Sequence, residues 1–181
     1  MGLVPRPVFT QLRHIITHLL CYPRTERIII KMAITEFRGE YRFLSSFWPC
    51  EISHAGMVFP SVENAFQAAK CLHQEDMKKF IHITPGAAKR KGRKVVIRKG
   101  WDEIKRTVMA NLLIQKFSYP ELQELLLATE EEELEEGNTW GDTYWGVVYG
   151  PSYSYRIGGE NHLGKLLMEI RGRLKNVDTS L

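Results

Sequence analysis

Hydrophobic residues recur at helical spacing through most of the chain between residue 61 and the C-terminus. Polar N-cap residues and prolines mark where several of these periodic segments begin. The predicted helices are, in chain order, a segment from the N-cap Ser61 to about residue 73, "GAAKRKG" after Thr84 and Pro85, residues 101–118, "ELQELLLA" after Pro120, and "HLGKLLMEIRGRL".

Three other segments have the composition or the alternation of β-strands. "YRFLSSF" and "EISHAGMVF" are predicted strands, the second interrupted by a turn at His54–Gly56, and "TYWGVVYG" alternates into a glycine-rich loop. The sequence has no βαβ regularity and no internal repeat. It therefore predicts an α+β fold, a single mostly helical domain with a small antiparallel sheet.

Residues 1–31 differ from the rest of the chain. They hold five Lys/Arg, one acidic residue and three prolines, with a possible short amphipathic helix over residues 12–20. We predict an N-terminal extension here and the folded domain over residues 32–181. The extension is flexible, dispensable for folding, or an organellar targeting segment. His14 and His18 are four residues apart, but no further ligand accompanies them, so no metal is predicted.

Composition narrows the class of protein. The three cysteines show no paired spacing, which favours a reducing compartment, cytoplasmic or nuclear. No apolar run reaches 18 residues, so no membrane span is predicted. The net charge is +4, and nine Lys/Arg fall within residues 85–106, which suits an anionic partner such as a nucleotide or a nucleic-acid backbone. The six glutamates of residues 130–136 are interpreted as a solvated surface.

The segment "PSVENAFQAAK" at residues 60–70 raises the question of an active site. On a helix, Glu63, Gln67 and Lys70 share one face, and the opposite face is apolar. Two interpretations follow from the residues alone: a solvated polar face on a surface helix, or a carboxylate and an amine that point into a pocket.

Aromatic residues outside the periodic positions suggest a flat ligand. Trp101 opens a predicted helix, and "WGDTYWG" places Trp145 near Asp142 in a glycine-rich turn. Such rings are platforms for stacking a base, although they also fill gaps between elements.

Glycines before the last helix suggest an anion site. Gly159 lies just before the start of that helix, where free N–H groups would face a phosphate. Arg93 and Arg98 would add positive charge to the same site.

Five segments together resemble the NADAR superfamily, the YbiA-like N-glycosidases. They are "FLSSFWPCEI", "FPSVENAFQAAKCL", "KGWDEIKRTVMANLLIQKF", "ELLLAT" and "GDTYWGVVYG…GENHLGKLLMEIRGRL", in register over about residues 36–175. The resemblance implies a compact, mostly helical α+β domain, without metal or cofactor, that hydrolyses the N-glycosidic bond at a ribose C1′. Substrates in this family are aminopyrimidine ribosides of the riboflavin pathway and ADP-ribose attached to guanine in DNA.

The resemblance also assigns roles to residues. It implies that Glu63, Lys70 and Asp142 are catalytic and that Ser46, Trp101, Trp145, Asn161 and Gly164 lie at the substrate. Together with the residues placed there without the resemblance, the predicted substrate-binding residues are Ser46, Phe47, Gln67, Arg93, Arg98, Trp101, Trp145, Gly159, Asn161 and Gly164. Two positions depart from the family motif Gly-Phe-Leu-Ser-Asn-Phe, since Arg42 replaces the glycine and Ser46 the asparagine. A serine reaches less far than an asparagine, which would alter affinity or substrate choice.

The resemblance implies a mechanism and a substrate. Cleavage passes through an oxocarbenium-like state, which Glu63 would stabilise while it positions or deprotonates the nucleophile. Lys70 would either bind phosphate and orient Glu63, or attack the opened ribose aldehyde as a neutral amine. The basic block favours ADP-ribosylated DNA as the partner over a nucleotide-like small molecule. A non-catalytic ADP-ribose-binding module remains an alternative, and the sequence assigns no oligomeric state.

Overall fold

The computed structural model describes residues 33–178, so the predictions for residues 1–31 lie outside the described part. The structure has these helices and strands in chain order: β1 Ala33–Ile34, a 3-10 helix Gly39–Leu44, β2 Pro49–His54, β3 Met57–Ser61, α1 Val62–Ala69, α2 Gln74–Lys78, α3 Pro85–Gly92, α4 Trp101–Lys116, α5 Pro120–Leu127, β4 Glu133–Leu134, β5 Gly137–Asn138, β6 Val147–Tyr149, a 3-10 helix Pro151–Tyr153, β7 Arg156–Gly158 and α6 His162–Asp178. The α+β class predicted from the sequence is confirmed.

The strands form three small sheets. β2 and β3 pair as an antiparallel hairpin, β1 and β4 pair in parallel, and β6 lies between the parallel β5 and the antiparallel β7. The predicted turn at His54–Gly56 is confirmed, with positive φ at Ala55 (50°) and Gly56 (74°), as a tight hairpin turn requires.

The segment "YRFLSSF" is not a strand, and that prediction was wrong. The structure forms a 3-10 helix over Gly39–Leu44 followed by a turn. Phe43 and Leu44 are both buried although they are neighbours, which a strand with one solvated face does not allow. A helical turn places both apolar side chains against the core.

The five predicted helices are present, and their caps explain where they begin. The Oγ of Ser61 accepts a hydrogen bond from the Asn64 N–H at the start of α1, and Thr84 caps α3 in the same way, with Pro85 at the first helical position. All eight residues of α1 are buried. This helix packs against the β2–β3 hairpin, α3 and α4, so its apolar face joins the core and its polar face is enclosed as well.

The core contains a lysine that the sequence did not single out. Lys116, at the end of α4, is 0% exposed, and its Nζ donates a hydrogen bond of 2.7 Å to the Ser45 carbonyl. Burial lowers the pKa of Lys116 to about 7, and the nearby Cys50 and Glu136 oppose this shift only in part. The lysine therefore ties the 3-10 helix to α4 as a largely neutral amine above neutral pH.

Replacing Lys116 with Met should change how stability depends on pH. The unfolded lysine titrates near 10.5 and the folded one near 7, so the unfolded chain binds more protons between these values and wild-type stability rises with pH there. Relative to wild type, we expect the free energy of unfolding of Lys116→Met to fall by about 1.4 kcal/mol per pH unit between about pH 8 and pH 9. Urea denaturation measures it.

Lys105→Met is the matched control. Lys105 forms an ion pair with Asp102, which raises the pKa of the lysine, so this group stays charged in both states over the same pH range. The free energy of unfolding of Lys105→Met should differ from that of wild type by the same amount at every pH in this range. Parallel curves for Lys116→Met as well would contradict the assignment of a neutral buried amine.

Candidate active site

The carboxylate of Glu63 is the buried centre of the site. It is 5% exposed, and it accepts hydrogen bonds from the Ser46 hydroxyl (3.1 Å) and from the Gln67 amide (2.9 Å). The backbone N–H of Glu63 also donates to the Ser46 carbonyl at 2.9 Å. The interpretation of this helix face as solvated is wrong, because the elements around α1 enclose its polar side too.

A cavity of about 350 Å³ opens beside Glu63 and brings most of the predicted residues together. Seven sequence-predicted site residues line it: Ser46, Glu63, Gln67, Lys70, Arg93, Asp142 and Trp145. Its other lining residues are Phe66, Lys89, Met109, Glu136, Trp140, Gly141 and Leu163. Carboxylates, cations and aromatic rings thus converge on one concave surface, as expected for a ligand site.

Burial sets the protonation of Glu63 and Lys70. It raises the pKa of the Glu63 carboxyl, while Lys89, the two hydrogen bonds and Lys70 pull in the opposite direction. Burial likewise lowers the pKa of Lys70, aided by Lys89 and Arg93 and opposed by Glu63. Both shifts favour the neutral form of the group, and such perturbed pairs of titratable groups are typical of active sites.

Asp142 is fixed by a turn that also orients Trp145. Its Oδ1 accepts a hydrogen bond from the Trp145 N–H at 3.0 Å, and the Asn138 side chain pairs with both the N–H and the carbonyl of Asp142. The Trp145 ring meets Phe66 edge to face, with 5.4 Å between ring centroids. The aspartate therefore shapes the cavity wall in addition to lining it.

Ser46→Ala should weaken the hold on Glu63. The hydroxyl stabilises the charged carboxylate, so its loss raises the pKa of Glu63 further and removes one positioning contact. We expect about a tenfold loss in kcat/KM, equivalent to about 1.4 kcal/mol, and an acidic limb of the pH profile that moves to higher pH. Steady-state kinetics across pH measures both.

Ser118→Ala is the control for Ser46→Ala. The exposed Ser118 hydroxyl donates to the Gln115 carbonyl at 2.7 Å, and Ser118 lines neither the cavity beside Glu63 nor the one that adjoins it. Equal losses in the two variants, with no shift of the acidic limb, would contradict a specific role for Ser46.

Three other predicted residues lie outside the cavity beside Glu63. Trp101 is 6% exposed and packs behind Phe66, with 5.1 Å between ring centroids, so it supports an aromatic wall residue. The Arg98 N–H donates to the Lys70 carbonyl at 2.8 Å, whereas its charge acts on His54. Phe47 lines a neighbouring cavity.

The predicted anion site at the start of α6 is wrong. The N–H groups of residues 160–163 donate to the backbone carbonyls of residues 143–146, so these donors are already occupied. The Asn161 side chain bonds both β4 and the segment that follows it, since its amide donates to the Leu134 carbonyl and its oxygen accepts from the Glu136 N–H. A Cβ at Gly159 or Gly164 would lie 2.2 or 2.0 Å from a backbone carbonyl oxygen, so both glycines serve packing.

Sequence reasoning missed two charged residues of the site. Lys89 was one of nine basic residues in its block, and nothing in its spacing marks it as the one near both Phe47 and Trp140, whose ring centroids are 5.8 and 5.4 Å from its Nζ. Glu136 belongs to the glutamate run interpreted as solvated. That interpretation is wrong for Glu135, which is 5% exposed, and for Glu136, which is half-buried with one carboxylate oxygen fully enclosed.

A second cavity of about 300 Å³ adjoins the first. The two share Lys89, Glu136 and Trp140 in their walls, and the second adds Phe37, Arg38, Gly39, Arg42, Ser45, Phe47 and Gly137. Arg42, which replaces the motif glycine, therefore contributes a guanidinium to this second cavity. Together the cavities offer space for more than one ring system between cationic walls.

Residues 33–178 show neither a cluster of metal ligands nor a membrane-spanning helix. This part of the chain contains no group of three His, Cys, Asp or Glu residues that could hold a metal ion. It also contains no helix long and apolar enough to cross a bilayer.

Comparison with known proteins gives consistent matches. The NADAR domain model matches residues 35–175. N-glycosidase YbiA of Escherichia coli is 37% identical over 142 residues, 75% of this chain and 82% of that protein. An N-glycosidase of Nostoc punctiforme is 32% identical over 76% of this chain and 88% of its own length. The solved structure of E. coli YbiA matches with a TM-score of 0.67 at 31% identity, over 84% of this chain and 94% of that one.

One relative has a different name. A riboflavin biosynthesis protein of Vibrio vulnificus is 30% identical over 167 residues, which are 90% of this chain but 44% of that longer protein.

These relatives place the chain among the hydrolases that act on N-glycosyl bonds. It belongs to the NADAR domain family.

Proposed function

We propose that this protein hydrolyses the ribose C1′–N bond of ADP-ribose attached to guanine in DNA. The observation that carries the proposal is the buried Glu63 carboxylate, held by Ser46 and Gln67 in one cavity with Lys70. An anion fixed in a place shielded from water stabilises a developing cation more strongly than water does. Loss of the base leaves such a cation at C1′.

The roles of the cavity residues follow from this placement. Glu63 stabilises the oxocarbenium-like state and accepts a proton from the incoming nucleophile. Asp142 borders the reacting ring, and Trp145 with Phe66 forms an aromatic wall against it. Arg93 and Lys89 supply positive charge for phosphate groups.

Lys70 suits a role as nucleophile. A lysine attacks a carbonyl carbon only as the neutral amine, and burial lowers the pKa of Lys70 in that direction. As the C1′–N bond to the base breaks with its electron pair on nitrogen, the amine adds to C1′ and gives one proton to Glu63. The C1′–O4′ bond then opens with its electron pair on O4′, which takes up the second amine proton, and the imine that forms is hydrolysed by water. The sugar leaves with the oxygen of water, and the amine is regenerated.

The second cavity supports a substrate as large as ADP-ribose on a base. A ribose phosphate with one heterocycle occupies a single cavity, whereas two nucleoside units linked by a pyrophosphate need both. Arg38 and Arg42 line the second cavity, and Lys89 lies between the two, so cations are available along this path.

An aminopyrimidine riboside phosphate is the second candidate substrate. One relative is named as a riboflavin biosynthesis protein, which favours this substrate. It is also favoured because only some of the basic residues within 85–106 lie at the cavity beside Glu63. Of these basic residues, Lys89 and Arg93 line the cavity beside Glu63, while Lys91 and Lys94 line a different cleft and Lys105 pairs with Asp102.

The experiment gives the wild-type protein both substrates in competition. An oligonucleotide with ADP-ribosylated guanine and an aminopyrimidine riboside phosphate are mixed at equal concentration. Mass spectrometry at two salt concentrations follows free ADP-ribose from the first substrate and free base and sugar phosphate from the second. We expect faster turnover of the oligonucleotide, with a kcat/KM that falls steeply with salt because several phosphates are bound. Exclusive turnover of the riboside phosphate would establish the second candidate instead.

A further inference from the structure

The segment between β4 and β5 carries the carboxyl group of Glu136, which has no role in the mechanism proposed so far. Glu136 lies where the two cavities meet and lines both of them. Its Oε2 is fully enclosed and has no hydrogen-bond partner among the described residues. A buried carboxylate oxygen without a partner is costly as an anion, so burial favours the protonated carboxyl group of a residue that lines both cavities.

The backbone at Glu136 is held from both sides. Its N–H donates to the Asn161 side chain at 3.2 Å, and its carbonyl accepts from the Val147 N–H at 3.0 Å. The tight approach of Gly146 to the Glu136 carbonyl leaves no space for a side chain there. The family motif residue Asn161 is therefore a positioning residue, because it fixes the segment that presents Glu136 to the cavities.

We infer that Glu136 is the general acid of the reaction and protonates the departing base. This inference rests on the proposed function, since it assigns a second carboxyl group to the same C1′–N cleavage. Guanine and aminopyrimidines leave poorly as anions, so the nitrogen must gain a proton as the bond breaks. With the sugar beside Glu63, the scissile bond lies next to the wall that Glu136 forms where the two cavities meet.

The step balances in atoms and charge. The Glu136 proton moves to the base nitrogen as the C1′–N bond breaks with its electron pair on that nitrogen. The nucleophile adds to C1′ and gives its proton to Glu63, and the two carboxyl groups exchange protons with solvent before the next turnover. One carboxyl group thus starts protonated and the other ionised, the pairing that glycoside cleavage requires.

The electrostatic surroundings suit an acid at this position. Burial raises the pKa of Glu136 to about 7, and the carboxylates of Asp142 and Glu63 act in the same direction. Lys89 of α3 and Lys116 of α4 face the same group and lower its pKa.

The test is the pH profile of Glu136→Gln, which keeps the size of the side chain and removes the acidic proton. In wild type, kcat/KM should fall above about pH 7 as Glu136 ionises. We expect kcat/KM of Glu136→Gln to be about 10²-fold lower than in wild type and to show no fall above pH 7. Substrate affinity and unfolding temperature should stay close to wild type.

Glu135→Gln is the matched control. Glu135 is the adjacent buried carboxylate, but it contacts Tyr149 and Arg156 rather than the cavities. Its variant should retain the alkaline limb. Wild-type rates and an unchanged limb in Glu136→Gln would overturn the assignment while leaving the proposed function in place.

A second measurement does not depend on any variant. Carbon-13 NMR of the glutamate carboxyl groups in wild type should show a group that titrates near pH 7. The absence of such a group would overturn the assignment of Glu136 as the general acid. A wild-type protein that is inactive on both proposed substrates would overturn the proposed function together with the assignment of Glu136 as its general acid.

Discussion

Glu63→Gln should lose about 10³-fold in kcat/KM for N-glycosyl cleavage while still binding substrate. The amide keeps the size of the side chain, but it carries no negative charge and cannot accept the proton of a nucleophile. The Gln67 amide would then face a second amide, which can rotate to offer its oxygen. The loss should therefore fall mainly on kcat, since the charge acts on the transition state.

The measurement is single-turnover release of ADP-ribose from the modified oligonucleotide, with binding followed separately. Glu75→Gln is the control, because Glu75 is an exposed carboxylate paired with Lys78 on α2. We expect the control to match wild type in both rate and affinity. If Glu63→Gln turned over substrate within tenfold of wild type, the buried carboxylate would not be the catalytic anion.

Lys70→Met should abolish turnover by about 10³-fold or more if the amine forms the imine, and Lys70→Arg should not restore it. An arginine supplies positive charge for phosphate but is no nucleophile at neutral pH. The two variants therefore separate the covalent role from the electrostatic one.

Borohydride trapping adds a direct readout for Lys70. Reduction during turnover should add the mass of the reduced sugar to the peptide that contains Lys70, and Lys70→Arg provides the blank. Lys89, which lines the same cavity, is the internal control and should carry no label. Unlabelled Lys70 together with an active Lys70→Arg would assign the lysine to binding alone.

The pH dependence of the wild type combines these groups. Catalysis needs Glu63 ionised and Lys70 neutral, so activity rises with pH as each loses its proton. The pKa of Glu63 is raised and that of Lys70 lowered, which brings the two titrations closer together. The plot of kcat/KM against pH should therefore be bell-shaped. It should rise as Glu63 and Lys70 lose their protons and fall as Glu136 ionises.

The elements of this fold were predictable wherever local chemistry decides structure. The Ser61 cap, the Thr84–Pro85 start and the hairpin turn at His54–Gly56 depend on a few neighbouring residues. The 3-10 helix at Gly39–Leu44 was not predictable by alternation, since its shape follows from what Phe43 and Leu44 pack against.

The site was predictable in part for a similar reason. Spacing on α1 places Glu63, Gln67 and Lys70 on one face, but only the tertiary packing decides that this face is enclosed. For Trp101 the sequence suggested a ligand-stacking ring, because this tryptophan lies at a helix start. In the structure its ring packs against Phe66 and does not line the cavity beside Glu63.

Glu136 could not be identified from the sequence. It belongs to a run of similar residues, and its neighbour Glu135 turns toward Arg156 while Glu136 turns toward the cavities. Alternation along an extended segment predicts two opposite directions, but it does not say which one is the catalytic side.

The central claim is that the chain cleaves a C1′–N bond instead of only binding its ligand. The most direct test is the intact mass of an oligonucleotide carrying ADP-ribosylated guanine after incubation with wild type. We expect the mass to fall by that of the ADP-ribosyl group, with free ADP-ribose in solution and guanine left intact in the strand. An oligonucleotide that binds tightly but stays unchanged, together with an unchanged aminopyrimidine riboside phosphate, would contradict the claim and identify a binding module.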